Sequence, residues 1–306
     1  MQISPAVAKL VDDFRAQRPI RAGSLIITVY GDAIAPRGGT VWLGSLINLL
    51  EPLGLNQRLV RTSVHRLSNE DWLTSSRLGR RSYYSLTERG WRRFRRAYQR
   101  IYAEAGPEWD GQWTLVMLSE VPAAQRDALR KELATLGFGL LATGVMIHPS
   151  APTDALTSAL HDEGVGESAV VLSARHEGLE VPLALSRLVR DCWNLDRLSE
   201  DYARFLDLFR PVWQALETEP SLDPQECFLV RTLLIHEIRR LLLRDPQLPD
   251  EVLPANWNGA AARRLCRNLY RLVWQQAEQY LSRMLETAEG PLPDPAPFFY
   301  KRFGGL

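Results

Sequence analysis

The chain has 306 residues, of which 45% are hydrophobic and 24% charged, a composition typical of a globular protein with two or three domains. Its formal net charge of +1 excludes a chain that is strongly basic or acidic as a whole, so global charge indicates no partner. No stretch approaches the roughly 18 apolar residues of a membrane span, and Met1–Phe14 lacks the apolar core of a signal peptide, so we expect a cytoplasmic protein.

Two amphipathic segments around a tight turn predict a helix-turn-helix. The first is Val41–Leu50, which is followed by Glu51-Pro52-Leu53-Gly54, and the second begins after the candidate N-cap Asn56 and ends near Asn69. In the second helix the apolar residues recur at helical spacing, so its polar residues share the opposite face. Arginine pairs with guanine and asparagine with adenine in the major groove, so this face is a candidate DNA reader, the alternative being a solvated basic face. The predicted contact residues on it are Arg58, Arg61, Thr62, His65, Arg66 and Asn69.

A short hairpin is predicted directly after this helix. Trp72–Arg77 and Ser82–Leu86 have strand-like patterns and are joined by Leu78-Gly79-Arg80-Arg81. A basic wing of this kind would place Arg77, Arg80 and Arg81 beside phosphates or in the minor groove. Thr87 is then a candidate cap for a further arginine-rich helix.

Positive charge is concentrated in this part of the chain. Between Asn56 and Arg100 there are 12 arginines and 3 acidic residues, a local charge of +9, so the rest of the chain is acidic on balance. Such an asymmetry is typical of a protein in which one domain binds an anion such as nucleic acid.

The remaining sequence predicts an α+β unit and then helices. Segments at Trp113–Leu118, Ala123–Leu136, Phe138–Ile147, Thr153–His161 and Ala169–Ala174 alternate between strand and helix patterns, with one or two strands in the third, which favours a ferredoxin-like fold. Helical patterns follow at about Leu183–Leu195, Leu198–Leu216, Pro224–Arg244 and Gly259–Glu286. We therefore predict an α+β multidomain protein with a winged helix-turn-helix domain at 1–105, a ferredoxin-like domain at 106–180 and an α-helical effector or dimerisation domain at 181–306.

The sequence contains no recognisable catalytic motif. No phosphate-binding loop, dinucleotide fingerprint or Gly-x-Ser-x-Gly is present, and His236-Glu237-Ile238-Arg239-Arg240 has Arg240 where a zinc-protease helix needs its second histidine. The three cysteines are far apart, so we expect reduced thiols, and we predict no cofactor and no metal.

Several sequence blocks along nearly the whole chain match one known family. These blocks are Tyr30-Gly31-Asp32, Arg37-Gly38-Gly39, Trp42-Leu43-Gly44-Ser45-Leu46, Arg58-Leu59-Val60-Arg61-Thr62, Gly79-Arg80-Arg81-Ser82-x-Tyr84, Leu185-Ser186-Arg187, Cys192-Trp193, Phe209-Arg210-Pro211, Leu234-Ile235-His236, Arg239-Arg240, Arg244-Asp245-Pro246-x-Leu248-Pro249 and Arg302-Phe303-Gly304-Gly305-Leu306. They closely resemble PaaX, the repressor family of bacterial phenylacetate catabolism. One departure from the resemblance is His65, where an apolar or aromatic residue is expected.

The resemblance implies a function that the residue pattern alone does not. It implies a homodimeric repressor that binds imperfect palindromes in promoters of phenylacetate genes and is released by phenylacetyl-coenzyme A rather than by free phenylacetate. We accordingly predict that the protein is not an enzyme. It also implies that the middle ferredoxin-like domain is similar to small CRISPR-associated nucleases.

A coenzyme A thioester needs arginines for its phosphates beside an apolar pocket. The candidate effector-binding residues in the helical third are Arg239, Arg240, Arg244, Arg263, Arg264 and Arg267.

Two enzyme readings remain as alternatives. A metal-dependent nuclease would use the ferredoxin-like domain, with Glu120 after its first strand as the metal-binding carboxylate. A thioester-processing enzyme would carry the winged domain only incidentally.

Overall fold

The computed structural model describes residues 4–103, 109–149, 151, 153–175 and 183–306. These residues form two compact units. The first contains the described part of Met1–Glu104 together with Arg204–Arg239 and Ala261–Leu306, and the second contains the described part of Ala105–Ala203 together with Arg240–Ala260. The fold is therefore a mixture of helix and sheet with a helical C-terminal part that contributes to both units. The predicted division at 1–105, 106–180 and 181–306 stays a prediction.

The N-terminal part of the first unit contains the predicted helices and hairpin. Its elements are α1 (Pro5–Ala16), α2 (Ala22–Val29), β1 (Thr40–Trp42), α3 (Leu43–Leu50), α4 (Gln57–Asn69), β2 (Leu73–Leu78), β3 (Arg81–Leu86) and α5 (Glu88–Tyr102). A π-helical turn, Tyr30–Ile34, follows α2. The hairpin strands form a three-stranded antiparallel sheet with β1, in the order β1-β3-β2.

The prediction that the first helix begins at Val41 is wrong. Val41 and Trp42 belong to β1, where they pair with Tyr84 and Tyr83 of β3, and the helix begins at Leu43. Helical periodicity in the sequence did not reveal this strand, because β1 is only three residues long and its pairing depends on a strand some forty residues later.

The predicted boundaries of α4 have clear local causes. The Asn56 side chain accepts a hydrogen bond from the Leu59 N–H at 2.9 Å, which caps the helix N-terminus. Gly54 adopts a left-handed conformation with φ of 80°, which glycine tolerates, and this reverses the chain between α3 and α4. Val60, Val64 and Leu67 are buried, so the predicted inner face of the helix is confirmed.

The second unit is built on a four-stranded antiparallel sheet in the order β5-β6-β4-β7. Its elements are β4 (Gln112–Met117), α6 (Ala123–Thr135), β5 (Gly139–Ala142), β6 (Val145–His148), α7 (Thr153–Asp162), β7 (Val170–Arg175) and α8 (Leu183–Trp193). With a helix after its first and third strands, this is the strand order of a ferredoxin-like fold.

Apolar residues cover both faces of this sheet. Val116 and Met146 pack with Leu129 and Leu133 of α6 and with Leu156 of α7. On the other face, Trp113 and Ile147 belong to a cluster with Val189 of α8 and with Leu248 and Val252. Alternate residues of β4 therefore enter two separate cores, as the period of two along a strand requires.

The longer helices supply most of the C-terminal part. They are α9 (Leu195–Glu217), α10 (Pro224–Leu242) and α11 (Gly259–Met284), followed by a small hairpin of β8 (Glu286–Thr287) and β9 (Gly290–Pro291). Glu286, predicted as the end of a helix, instead begins β8. Among the helices of the described residues, none is long and apolar enough to cross a bilayer.

Candidate nucleic-acid interface

The polar face of α4 is fully accessible. All six predicted contact residues on it are exposed, namely Arg58, Arg61, Thr62, His65, Arg66 and Asn69. Within the described part of the chain, no carboxylate pairs with Arg58 or Arg61. Two guanidiniums without internal counter-charges next to the helix N-terminus are suited to an anionic partner.

The N-terminal turn of α4 forms a shallow depression lined by Asn56, Gln57, Arg58, Arg61 and Thr62. When the Gln57 amide oxygen faces Arg61, it accepts hydrogen bonds from Nη2 at 3.0 Å and from Nε at 3.1 Å. Gln57 therefore orients the Arg61 guanidinium and leaves its remaining donors available. Sequence reasoning missed Gln57, although its spacing of four residues from Arg61 is the signal for such a pair.

Side chains in the C-terminal turn of α4 make more contacts within the protein than those in its N-terminal turn. Arg66 lies over α2, where a Cβ added at Gly23 would be 2.5 Å from its Nη2 atom, and it forms an ion pair with Glu70 at 3.6 Å. Asn69 Nδ2 is 3.5 Å from His65 Nδ1, a separation at the limit of a hydrogen bond. These contacts restrain Arg66 to the flank of the face.

The tip of the β2–β3 hairpin presents a second basic surface. Leu78 pairs with Arg81, which leaves Gly79 and Arg80 as a two-residue loop. Gly79 has φ of 60° while Arg80 does not have positive φ, the pattern of a type II′ turn that needs glycine first. Arg77 and Arg80 are exposed, and neither has a carboxylate partner in the described ranges. Both are therefore accessible to an anionic partner.

Arg81 is engaged within the first unit. Its Nη1 donates to Oε2 of Glu286 at 2.7 Å, and its guanidinium lies 4.1 Å from the centre of the Trp42 ring. Hydrogen bonds to Tyr83 and Glu286 raise the pKa of Arg81. The hairpin formed by β8 and β9 thus holds the arginine that directly follows the loop of the candidate wing, a contact that no local sequence pattern indicates.

Helix α5 continues the basic surface behind the hairpin. The predicted cap is confirmed, since Thr87 Oγ1 accepts from the Gly90 N–H at 2.9 Å. Arg93 donates to the carbonyl of Glu70 at 3.1 Å and stacks on Trp72, which fixes α5 against the end of α4. Arg89, Arg95 and Arg96 are exposed and lie outside the predicted set of contacts.

A buried charge cluster lies within the same unit. Asp32, in the π-helical turn, accepts hydrogen bonds from Tyr102 at 2.7 Å, Arg231 at 2.6 Å and Arg302 at 2.9 Å. Arg231 also pairs with Glu278 of α11, which in turn pairs with Arg37. The blocks that contain Asp32, Arg37 and Arg302 therefore meet around the two carboxylates of Asp32 and Glu278.

The predicted effector arginines occupy different environments. Arg239 belongs to the first unit, where its Nη2 donates to the Ser24 hydroxyl at 2.8 Å, so α10 is tied to α2. Arg240 and Arg244 belong to the second unit, where exposed Arg244 contacts Asp201 at 3.2 Å. On α11, Arg264 is exposed while Arg263 and Arg267 are partly buried. The structure thus does not gather these six residues into one pocket within either unit.

His236, the three cysteines and Glu120, which were considered for enzymatic chemistry, lie in different environments. His236 is buried, with Nδ1 3.0 Å from the Thr28 hydroxyl and its ring edge-on to Phe14. Cys192, Cys227 and Cys266 are free thiols. Among the described residues, no group of three or more His, Cys, Asp or Glu side chains is arranged to hold a metal ion, and Glu120 is an exposed carboxylate outside any such group.

Comparisons with known proteins assign the chain to a family. It matches the PaaX-like protein family over residues 21–90, the PaaX central Cas2-like domain over 106–185 and the PaaX-like C-terminal domain over 193–283. It is 42% identical over 294 residues to the transcriptional repressor PaaX of Escherichia coli, covering 94% of this chain and 92% of that protein. The chain belongs to the PaaX family.

A solved structure supports the fold assignment. The uncharacterised protein Rv0674 from Mycobacterium tuberculosis aligns with 84% of this chain and 98% of its own, at a TM-score of 0.53 and 25% identity. Together with the family match, this identifies the four-stranded unit as the Cas2-like domain of the family. The family relationship further indicates a repressor of transcription.

Proposed function

We propose that this protein is a winged helix-turn-helix repressor that binds double-stranded promoter DNA, and that it is not an enzyme. In this proposal α4 enters the major groove and the β2–β3 hairpin is the wing. The observation that carries the proposal is the exposed face of α4, where Arg58 and Arg61 have no carboxylate partner among the residues that the structure describes. Arg77 and Arg80 extend that face toward flanking phosphates.

The candidate contacts divide into two roles. Arg61, oriented by Gln57, is suited to bidentate pairing with guanine, while Thr62, His65 and Asn69 lie further along the same face. Arg58, Arg66, Arg77, Arg80 and Arg81 are assigned to phosphates or the minor groove. Base readers set sequence preference, whereas phosphate contacts set affinity for all DNA and its dependence on salt.

We also propose that the protein acts as a homodimer on palindromic DNA. Support comes from β7, an edge strand of the Cas2-like sheet whose Val170, Val171 and Leu172 are 47%, 43% and 46% exposed. An exposed apolar edge strand is unusual in a monomer, because it offers unpaired backbone groups for further pairing. Sedimentation of the purified protein should give a dimer, and Leu172→Lys should shift it toward monomer; a monomeric wild type would contradict this assembly.

The inducer is proposed from the family relationship. Phenylacetyl-coenzyme A would favour a dimer geometry in which the two recognition helices no longer match the half-site spacing. Arg239, Arg240, Arg244, Arg263, Arg264 and Arg267 are the candidates for its phosphates.

A mobility shift with DNA from upstream of the gene tests the whole proposal. We expect a retarded band at moderate salt that phenylacetyl-coenzyme A removes and that phenylacetate or coenzyme A alone does not. A band insensitive to the thioester would reject this inducer but retain the DNA-binding assignment. Equal affinity for promoter and random DNA would reject the repressor assignment.

A further inference from the structure

We propose that a pocket in the first unit, formed by Arg37 and the C-terminal part of the chain, binds an organic anion. Its lining includes Arg37, Trp274, Glu278, Arg283, Asp294 and Tyr300. The anionic group, a carboxylate or a phosphate, faces Arg37 and Arg283, while an apolar or aromatic part of the ligand packs on Trp274 and Tyr300. This site contains none of the six predicted effector arginines, and the proposal does not depend on DNA binding.

The first argument is the balance of buried charge. Ion pairs join Asp32 and Glu278 to Arg37, Arg231 and Arg302, so this cluster has one positive charge in excess. The three arginine side chains are at most 1% exposed, and the two carboxylates are 5% and 14% exposed. A buried charge without a counter-charge is costly, so an anion at the pocket would stabilise the cluster.

Of the three arginines, Arg37 has the least compensation from neighbouring aromatic rings. Aromatic rings offset part of the charge of Arg302, which lies 4.0 Å from the Tyr102 ring centre and 4.4 Å from that of Phe299. Arg37 is 5.6 Å from the Phe299 ring centre. Burial, followed by repulsion from Arg231 and Arg302, lowers the pKa of Arg37 to about 10.

The second argument is an unsatisfied donor. Arg37 donates through Nη1 to the carbonyl of Ala33 at 2.8 Å and through Nη2 to Glu278. Its Nε is buried and has no hydrogen-bond partner among the described residues. Buried donors are nearly always satisfied, and Arg37 lines the pocket, so an anion there would compensate electrostatically a guanidinium that the described residues leave incompletely paired.

The rim of the pocket supplies the remaining recognition. Tyr300 is 44% exposed and lies edge-on to Trp274, with 6.2 Å between the ring centres. This pair of an exposed tyrosine and a half-buried tryptophan is suited to a planar or apolar group. Arg283 would attract an anion, whereas exposed Asp294 would repel it, so the two side chains make opposite contributions.

Calorimetric titration at constant ionic strength tests the proposal with defined probes. Benzoate carries a carboxylate and a ring, inorganic phosphate carries only the anion, and benzamide is an uncharged ring. Saturable binding of benzoate, of phosphate or of both, without binding of benzamide, is the expected result. Benzoate alone would indicate a carboxylate ligand, and phosphate alone would indicate a phosphorylated one.

Three exposed substitutions locate the site. Arg283→Gln should weaken anion binding about two- to fivefold, and Asp294→Asn should strengthen it by a similar factor, as expected for partly exposed charges. Arg210→Gln, an exposed arginine of α9 in the same unit but outside the pocket, should leave binding unchanged. Arg37→Gln removes the excess positive charge of the buried cluster and should abolish anion binding. If this variant unfolds, the opposite effects of Arg283→Gln and Asp294→Asn on binding still test the proposal.

Two results would overturn the anion site. One is the absence of saturable binding for both anions, and the other is equal affinity in Arg283→Gln, Asp294→Asn and the wild type. Neither result concerns DNA, so a failure here is distinct from a failure of the mobility shift.

Discussion

Arg61 shows how one side chain can be prepared for reading a base. It lies on the exposed face of α4, and Gln57, one turn earlier, accepts from its Nε and Nη2 when the amide oxygen faces it. Holding a guanidinium in one orientation before binding reduces the entropy lost when it meets a base edge. Arg66, by contrast, is held over α2 and paired with Glu70, so it is better placed for a backbone contact.

We expect Arg61→Ala to weaken binding to the specific promoter site by about 1–3 kcal/mol while changing affinity for random DNA much less. The measurement is a titration of both DNAs by fluorescence anisotropy at one salt concentration. Arg130→Ala is the matched control, because Arg130 is a half-exposed arginine of the Cas2-like domain. Equal losses on the two DNAs would remove Arg61 from the base-reading residues.

The candidate wing is the element whose behaviour depends most on distant parts of the chain. Its turn is local, since Gly79 permits the type II′ geometry, but Arg81, which directly follows the turn, is bound by Glu286 of β8. Glu286 also donates its backbone N–H to Ser45 of α3 at 3.2 Å. The C-terminal hairpin therefore contacts both the helix-turn-helix and the wing, and its carboxylate competes with DNA phosphates for Arg81.

Glu286→Gln should release Arg81 and remove a negative charge beside the wing. We expect tighter binding to all DNA sequences and a plot of log K against log salt steeper by about one unit, as one additional phosphate contact requires. Glu289→Gln is the control. Glu289 is exposed and lies in the same hairpin, so its substitution removes the same charge, but Glu289 does not contact Arg81. Identical slopes for the two variants would mean that Arg81 does not reach a phosphate.

At the scale of the molecule, the carboxylate of Asp32 links segments from both ends of the chain within the first unit. Burial alone would raise its pKa, but Arg231 and Arg302, with a hydrogen bond from Tyr102, hold the pKa of Asp32 below its usual range. Because the folded-state pKa is lower than that of the unfolded chain, at about 3.9, the ionised carboxylate stabilises the fold above roughly pH 4. That contribution is lost as the pH falls through the folded-state value.

Urea unfolding between pH 3 and pH 7 should therefore show stability falling below about pH 4. Asp32→Asn should lose about 3–5 kcal/mol at neutral pH, because it leaves buried arginines unpaired, and should respond less to acid. Asp12→Asn is the control, since Asp12 is 72% exposed and, among the described residues, forms an ion pair only with exposed Arg15. If Asp32→Asn folds too poorly to titrate, acid unfolding of the wild type with no drop near pH 4 would itself contradict the prediction.

Much of the local structure was determined by the sequence itself. Several local features follow from contacts within a few residues. They are the helix caps at Asn56 and Thr87, the inward-facing residues Val60, Val64 and Leu67, and the glycine turn of the hairpin. The strand and helix order of the Cas2-like domain was also predictable, because the period of apolar residues differs between strands and helices. The family blocks identified the repressor class on the same linear information.

Only the tertiary structure decided which of these residues are free to act. Several contacts join residues that are about 40 to 270 positions apart in the sequence. They are the pairing of β1 with β3, the ion pair of Arg81 with Glu286, and the ion pairs of Asp32 with Arg231 and Arg302. Neither propensity nor spacing encodes such contacts, because their energy comes from burial and charge pairing that exist only after the chain has folded. For that reason the exposed basic face of α4 could be predicted from the sequence, whereas the restraint on Arg81 and the buried excess charge beside Arg37 could not.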